Sequence, residues 1–202
     1  MSQANPAKPP EQRPELPDFW DKRFQAGITP WDAGKVPAAL AAFARKQPPR
    51  RTLIPGCGSA WEAAFLDNLG WPVTALDFSP VAVAAAREIL GPWNGRLVCE
   101  DFFAHVPEAP LDLIYERAFL CALPRKMWAA WAEQMARLLP HNGFLAGFFF
   151  FSDDLKGPPF GIAPEALDAL LTPAFEKLED EQATDSIPIF AGKERWQVWR
   201  RR

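Results

Sequence analysis

The chain has 202 residues, enough for one domain with a full hydrophobic core and too few for two large domains. Hydrophobic residues make up 49% and charged residues 23%, which is the composition of a soluble globular protein. The formal net charge of −3 gives no overall attraction to nucleic acid or to anionic lipid, so we expect no nucleic-acid or membrane partner.

The cellular compartment and the absence of a metal can also be predicted. The most apolar run, 144–151, has the length of a strand and is too short to cross a bilayer. The N-terminus lacks a basic segment followed by an apolar one, so we expect a cytoplasmic protein. Three scattered cysteines and two histidines form neither a disulfide framework nor a zinc-binding spacing, and no metal is expected.

The N-terminal part of the chain divides into a tail and a lid. Residues 1–17 are polar and rich in proline, which predicts a flexible tail in front of a single domain over 18–202. Two short helices are predicted over 18–24 and 37–45, the second opened by a proline. We predict that residues 18–47 form a helical lid.

Three aromatic side chains, Trp20, Phe24 and Trp31, lie close together in this lid. In one interpretation they only cover part of the core, because aromatic side chains contribute much of core burial. In the other they form a mobile cover that lines a ligand pocket. There an aromatic face would attract a desolvated cation by roughly 1–2 kcal/mol.

The rest of the chain is organised around the stretch 51–62, RTLIPGCGSAWE. A short buried strand is predicted over 52–54, and Gly56 and Gly58 then allow a sharp turn and the close approach of a ligand. The next strand ends in Asp77, 19 residues after Gly58, the spacing at which a carboxylate reaches a ribose hydroxyl in dinucleotide-binding folds. This pattern predicts a nucleoside site, and an ordinary strand-to-helix turn is the simpler alternative.

The glycine turn does not match a complete dinucleotide fingerprint. Trp61 stands where the third glycine of that fingerprint would allow close packing of the helix. A nicotinamide-dependent oxidoreductase would also need a proton donor near its cofactor, and Tyr115 is the only tyrosine. We therefore disfavour a dinucleotide cofactor.

Predicted strands and helices alternate after the lid. The strands are 52–54, 72–76, 96–99, 111–115, 144–151, 175–182 and 195–199, and the helices are 60–69, 80–90, 124–139 and 164–171. This alternation predicts an α/β fold in three layers, with a seven-stranded, mostly parallel sheet and a late antiparallel hairpin. Gly56, Asp77, Asp101 and Glu116 each follow a different strand, so we expect them at the edge where such sheets bind ligands.

The residues at this edge suit an adenosyl group that carries a cation. Asp77 would accept hydrogen bonds from both ribose hydroxyls. Asp101 offers a carboxylate to the adenine amine and Phe102 an apolar face to the ring, although Asp101 is also a candidate turn cap. With the aromatic lid, these features favour S-adenosylmethionine over NAD.

The same residues resemble the thiopurine S-methyltransferase family, including its thiol and halide methyltransferase branch. The resemblance rests on WDKRF (20–24), GITPWD (27–32), PGCG (55–58), LD (76–77), DFF (101–103), IYERAFLCALP (114–124), GPPF (157–160) and the segment 192–200. It covers nearly everything after Pro17. Ser59-Ala60-Trp61-Glu62 departs from the family pattern, in which relatives tend to have a second small residue and an aspartate.

The resemblance implies a class I methyltransferase (Rossmann-like) fold whose N-terminal segment covers S-adenosylmethionine. It also implies that Arg117 lies near the methyl acceptor. The residues expected to bind the cofactor are Trp20, Phe24, Trp31, Gly56, Gly58, Asp77, Phe78, Asp101, Phe102 and Tyr115.

The expected reaction moves a methyl group by in-line displacement to a small soft nucleophile, namely a thiol, hydrosulfide, halide, thiocyanate or thiopurine-like compound. Free thiols titrate near about 8.5, so Arg117 would raise the reactive thiolate fraction. Glu116 is a candidate to take the acceptor proton, and a salt bridge with Arg117 or Lys126 is its alternative role. We expect a monomer. A catalytically impaired sensor of S-adenosylmethionine is the competing hypothesis.

Overall fold

The structure, a computed structural model, describes residues 8–202. Residues 1–7 of the predicted tail lie outside this range. The remainder of that segment contacts the domain: Glu15 pairs with Lys126 at 2.8 Å, and the Trp20 indole donates a hydrogen bond to the Pro14 carbonyl. The first α-helix begins at Pro17, because a proline is well suited to the first turn.

Helices and strands alternate along the chain as predicted. The helices are α1 (Pro17–Gln25), α2 (Ala38–Lys46), α3 (Trp61–Asn68), α4 (Pro80–Leu90), α5 (Trp128–Leu138) and α6 (Pro164–Leu171). The strands are β1 (Thr52–Pro55), β2 (Val73–Asp77), β3 (Arg96–Cys99), β4 (Leu113–Arg117), β5 (Phe144–Phe150), β6 (Phe175–Gln182) and β7 (Glu194–Arg201).

All seven strands form one sheet in the order β3-β2-β1-β4-β5-β7-β6. Strands β1 to β5 are parallel, and β7 runs antiparallel to both β5 and β6. This arrangement confirms the predicted mostly parallel sheet with a late hairpin. The chain order reverses direction between β1 and β4, and in open α/β sheets ligands bind outside the carboxyl ends of the strands at such a point.

Hydrophobic clusters cover both faces of the sheet. Neighbouring residues of one strand belong to different clusters. Leu53 and Leu145 pack in the first cluster, whereas the residues that follow them, Ile54 and Ala146, pack in the second. Successive side chains of a strand point to opposite faces, so both faces are buried. This burial explains the unbroken apolarity of β5.

The predicted helix over 124–139 is divided in the structure. A 3₁₀ turn, Arg125–Met127, precedes α5, and such turns are frequent at helix termini. The Trp128 indole donates a hydrogen bond to the Leu123 carbonyl at this junction. Within residues 8–202, no helix has both the length and the apolarity that a bilayer span requires.

Candidate functional site

The glycine turn between β1 and α3 has a left-handed backbone. Gly56 and Gly58 have φ of 59° and 51°, and Ala60 follows with φ of 62°. A Cβ added to Gly56 would lie 2.5 Å from the Phe119 ring, so only glycine fits there. A Cβ added to Gly58 would have one neighbour within 4 Å, the tip of the Phe24 ring at 3.7 Å. The Gly58 backbone therefore faces the space beneath the lid.

Asp77, at the end of β2, is bonded to this turn. Its carboxylate accepts hydrogen bonds from the Gly58 amide at 3.1 Å and from the Ser79 amide at 2.9 Å. The side chain is buried, and burial raises its pKa to about 6 although the bonds from Ser79 and Gly58 favour the charged form. Asp77 thus holds the turn in shape while it lines the cavity beside it.

The lid is hydrogen-bonded to the turn through Asp32. The Asp32 carboxylate accepts hydrogen bonds from the Ser59 hydroxyl and from the Trp61 indole, the latter at 3.0 Å. A second lid aspartate, Asp21, accepts from the Ser79 hydroxyl at the start of α4. Sequence reasoning assigned no role to Asp32, Ser59 or Trp61. The acidic residue directly after Trp31 was the available signal for this contact.

The three lid aromatics pack on one another above the turn. The rings of Trp20 and Trp31 are 5.3 Å apart and those of Phe24 and Trp31 are 5.9 Å apart, both edge to face. All three side chains line the cavity between the lid and the carboxyl ends of the strands.

This cavity collects most of the residues that the sequence indicated. Its lining includes Trp20, Phe24, Trp31, Gly56, Gly58, Asp77, Phe78, Asp101, Phe102, Tyr115 and Arg117. Its carboxylates are those of Glu15, Asp32, Glu62, Asp77, Glu100 and Asp101, and its basic side chains are Arg23, Lys35 and Arg117. Glu116 is absent from the lining among the described residues.

Asp101 and Phe102 follow β3 at the cavity. Asp101 accepts a hydrogen bond from the Phe103 amide at 3.0 Å, so it does cap a turn, as one interpretation expected, and it also lines the cavity. Phe102 is buried, with its ring 5.2 Å from that of Phe119. The two residues are therefore adjacent at the rim.

Arg117 forms an ion pair that sequence reasoning missed. Its Nη1 atom lies 3.0 Å from Glu62 Oε1, and the two side chains are only 10% and 13% exposed. Burial opposes the charged guanidinium, but the Glu62 carboxylate favours it, and the pKa of Arg117 lies above its ordinary value. Glu62, one of the residues that depart from the family pattern, thus becomes part of the cavity.

Tyr115 brings a hydroxyl group to the same place. Its oxygen is buried and has no hydrogen-bond partner within residues 8–202. Burial, and next the charge of Glu62, raise the pKa of Tyr115 well above its ordinary value. The phenol is therefore protonated and free to donate a hydrogen bond to a ligand.

Glu116 lies away from the cavity, contrary to the expectation that it contacts the acceptor. Alternate residues of β4 point to opposite faces, so Tyr115 and Arg117 reach the cavity and Glu116 does not. Its carboxylate accepts hydrogen bonds from the Phe119 and Leu120 amides. Neither expected salt bridge forms, because Arg117 pairs with Glu62 and Lys126 with Glu15.

These residues fit a nucleoside with a cationic group. The open Gly58 backbone, the buried Asp77 and the unpartnered Tyr115 hydroxyl leave room and hydrogen-bonding capacity, and the excess of carboxylates and aromatic faces suits a positive charge. Residues 8–202 contain no cluster of three or more His, Cys, Asp or Glu side chains that would hold a metal ion.

Comparison with known proteins identifies the family of this chain. The family model described as thiopurine S-methyltransferase (TPMT) matches residues 16–202. Thiocyanate methyltransferase 1 of Arabidopsis thaliana is 30% identical over 190 residues, covering 90% of this chain and 84% of that protein. The thiopurine S-methyltransferase of Methylococcus capsulatus is 31% identical over 204 residues, covering 88% of this chain and 91% of that protein.

The fold is also shared with solved methyltransferases. The magnesium protoporphyrin IX methyltransferase of Synechocystis PCC 6803, solved with bound SAM, aligns with a TM-score of 0.74 at 15% identity, covering 98% of this chain and 100% of that one. The chain therefore belongs to the thiopurine S-methyltransferase family and is an S-adenosylmethionine-dependent methyltransferase with the class I fold.

Proposed function

We propose that this methyltransferase acts on a small molecule with a soft nucleophilic atom, in the cavity beneath the lid. The observation that carries the proposal is that the glycine turn, Asp77 and the aromatic lid share one cavity with the buried Arg117. Relatives named for thiocyanate and for thiopurines support a polarisable acceptor. We expect no nucleic-acid partner, a monomeric state and a cytoplasmic location.

The proposed cofactor site uses the rim of the sheet. Asp77 accepts hydrogen bonds from the ribose hydroxyls, with Phe78 beside it, and Asp101 with Phe102 binds the adenine. Gly56 and Gly58 leave space for the amino-acid part, next to the Tyr115 hydroxyl. The rings of Trp20, Phe24 and Trp31 close over the sulfonium. Each of these residues lines the cavity, which is what supports the assignment.

S-Adenosylmethionine, when bound, supplies a methyl group activated by a sulfonium. The chain itself contributes position and exclusion of water, and near-attack geometry can contribute roughly 7–11 kcal/mol to lowering a barrier. The lid, bonded to the turn through Asp32, excludes water from the cavity. Arg117, fixed by Glu62, orients the acceptor.

A methyl-transfer assay tests the proposal. The purified protein is incubated with S-adenosylmethionine and, separately, an aliphatic thiol, hydrosulfide, thiocyanate, iodide and a thiopurine, and methylated products are measured. Calorimetry with S-adenosylmethionine and S-adenosylhomocysteine accompanies the assay. Turnover of at least one acceptor is expected. Tight cofactor binding without turnover of any acceptor would instead favour a sensor of the cofactor, a role that no other observation supports.

A further inference from the structure

Arg117 carries no uncompensated positive charge at the proposed acceptor site. Its guanidinium is 3.0 Å from the Glu62 carboxylate, and both side chains are largely buried. A carboxylate at this distance cancels much of the attraction that a guanidinium exerts on an anion. An anionic acceptor such as iodide or thiocyanate would therefore meet a neutral pair.

The other basic side chains of the cavity are held by Phe19 or exposed to solvent. Arg23 donates a hydrogen bond to the Phe19 carbonyl and stacks on the Phe19 ring, 3.4 Å from its centre. Lys35 is exposed to solvent, where its charge is screened. Carboxylates outnumber basic groups around the cavity. The electrostatics thus favour a neutral acceptor.

Glu62 still has hydrogen-bonding capacity for such an acceptor. Glu62 Oε1 accepts a hydrogen bond from Arg117, whereas Oε2 accepts none from residues 8–202, and the residue lines the cavity. A neutral thiol can donate its S–H to a carboxylate oxygen.

We propose that Glu62 is a catalytic base that takes the proton of a neutral thiol, and that thiols are preferred over preformed anions. The inference deepens the proposed function and rests on it. A lone pair of the acceptor sulfur forms the new carbon–sulfur bond to the methyl group. The old bond between the methyl carbon and the sulfonium breaks, and its electron pair stays on the sulfur of S-adenosylhomocysteine. The S–H proton passes to Glu62 and then to water.

The test compares the wild type with Glu62→Gln, which keeps the side-chain shape and an acceptor for Arg117 but removes the base. For 2-mercaptoethanol we expect kcat/KM to fall by about 10²–10⁴, the usual contribution of a general base. For thiocyanate, which has no proton to lose, we expect no fall. Calorimetry of the protein saturated with S-adenosylhomocysteine gives a second readout: iodide and thiocyanate should bind at least about tenfold more tightly to the variant.

The matched control is Glu165→Gln. Glu165 lies in the first turn of α6, as Glu62 does in α3, but it is exposed and outside the cavity, so every measured value should stay unchanged. Glu62→Asp keeps a carboxylate and should retain more of the thiol activity than Glu62→Gln does. If the loss in Glu62→Gln came from misfolding, this difference would not be expected.

Other outcomes overturn the inference. Equal losses for thiol and thiocyanate in Glu62→Gln, or unchanged thiol turnover, would give Glu62 a merely structural role. Unchanged anion affinity would also exclude the proposed charge compensation. A wild type that methylates thiocyanate faster than the thiol would overturn this inference alone, whereas a wild type that methylates no acceptor would overturn the proposed function as well.

Discussion

Asp32 accepts a hydrogen bond from the Ser59 hydroxyl, which joins the N-terminal lid to the glycine turn of the sheet. The same carboxylate accepts from the Trp61 indole and, within the lid, from the Gly34 amide at 2.8 Å. One side chain therefore organises the lid loop and fixes it to the first turn of α3. The position of the lid should depend on this contact.

Replacing Asp32 with alanine should loosen the lid. The substitution removes the acceptor of the partly buried Ser59 hydroxyl and Trp61 indole and of the exposed Gly34 amide, and a typical hydrogen bond contributes about 0.5–1.5 kcal/mol. We expect faster amide hydrogen exchange over 17–37. We also expect roughly tenfold weaker binding of S-adenosylhomocysteine, since part of its binding free energy would be used to close the lid. Mass spectrometry and calorimetry measure the two effects.

Asp67→Ala is the control for this variant. Asp67 is on α3 and accepts hydrogen bonds from the Asn94 amide, away from the cavity. It should change neither exchange over 17–37 nor cofactor affinity. Unaltered exchange in Asp32→Ala would mean that the aromatic packing alone holds the lid.

Glu116→Gln should change stability with a distinct dependence on pH. Burial raises the pKa of Glu116 from 4.5 to about 8, although bonds from Leu120 and Phe119 favour the charged form. The folded state therefore binds the proton more tightly than the unfolded state, and the wild type loses stability as pH rises from about 4.5 to about 8. The full loss would be about 5 kcal/mol, at about 1.4 kcal/mol for each pH unit.

Glutamine has no such loss, so the variant should gain stability relative to the wild type across this range. Urea unfolding of both proteins at pH 5 and pH 8.5 measures the difference. Because Glu116 lies outside the cavity, kcat/KM should change less than about threefold, far below the 10²–10⁴ expected for a base. If the free energy of unfolding depended on pH in the same way in both proteins, Glu116 would not have the raised pKa. A large loss of activity in a folded variant would contradict its position outside the cavity.

The features that the sequence predicted depend on local patterns. Apolar runs bounded by turns predicted the strands, and Gly56, Gly58 and Asp77 lie at the predicted edge because parallel strands bring their carboxyl ends together. Glu116 was expected at the ligand-binding edge because it follows a predicted strand, and this expectation ignored the alternation of side chains along the strand. That alternation places Tyr115 and Arg117 on one face and Glu116 on the other.

The contacts that complete the site could not be predicted in this way. Asp32 and Ser59 are 27 residues apart, and Glu62 and Arg117 are 55 apart. No periodicity connects residues at such distances, and their pairing depends on how the lid and α3 pack on the sheet. Besides the acidic residue after Trp31, the departure at 59–62 was a signal in the sequence, and its residues contact the lid and Arg117.

Asp77→Ala should weaken binding of S-adenosylhomocysteine at least tenfold, because it removes the proposed acceptor of the ribose hydroxyls. The substitution also frees the Gly58 and Ser79 amides, so affinity alone does not identify the cause. We therefore compare S-adenosylhomocysteine with its 2′-deoxy analogue by calorimetry in both proteins. If Asp77 binds the ribose, the wild type should prefer the hydroxylated ligand and the variant should not. An equal preference in both would give Asp77 a role in the turn only.

Trp31→Ala should lower both cofactor affinity and kcat, because Trp31 lines the cavity and supports the rings of Trp20 and Phe24. Loss of an aromatic face beside a cation costs about 0.5–2 kcal/mol, which predicts that S-adenosylmethionine loses more affinity than the uncharged S-adenosylhomocysteine. Trp93→Ala removes a partly buried indole of a hydrophobic cluster outside the cavity and should lower stability alone. Equal losses for the two ligands in Trp31→Ala would show that the lid excludes water without contacting the sulfonium.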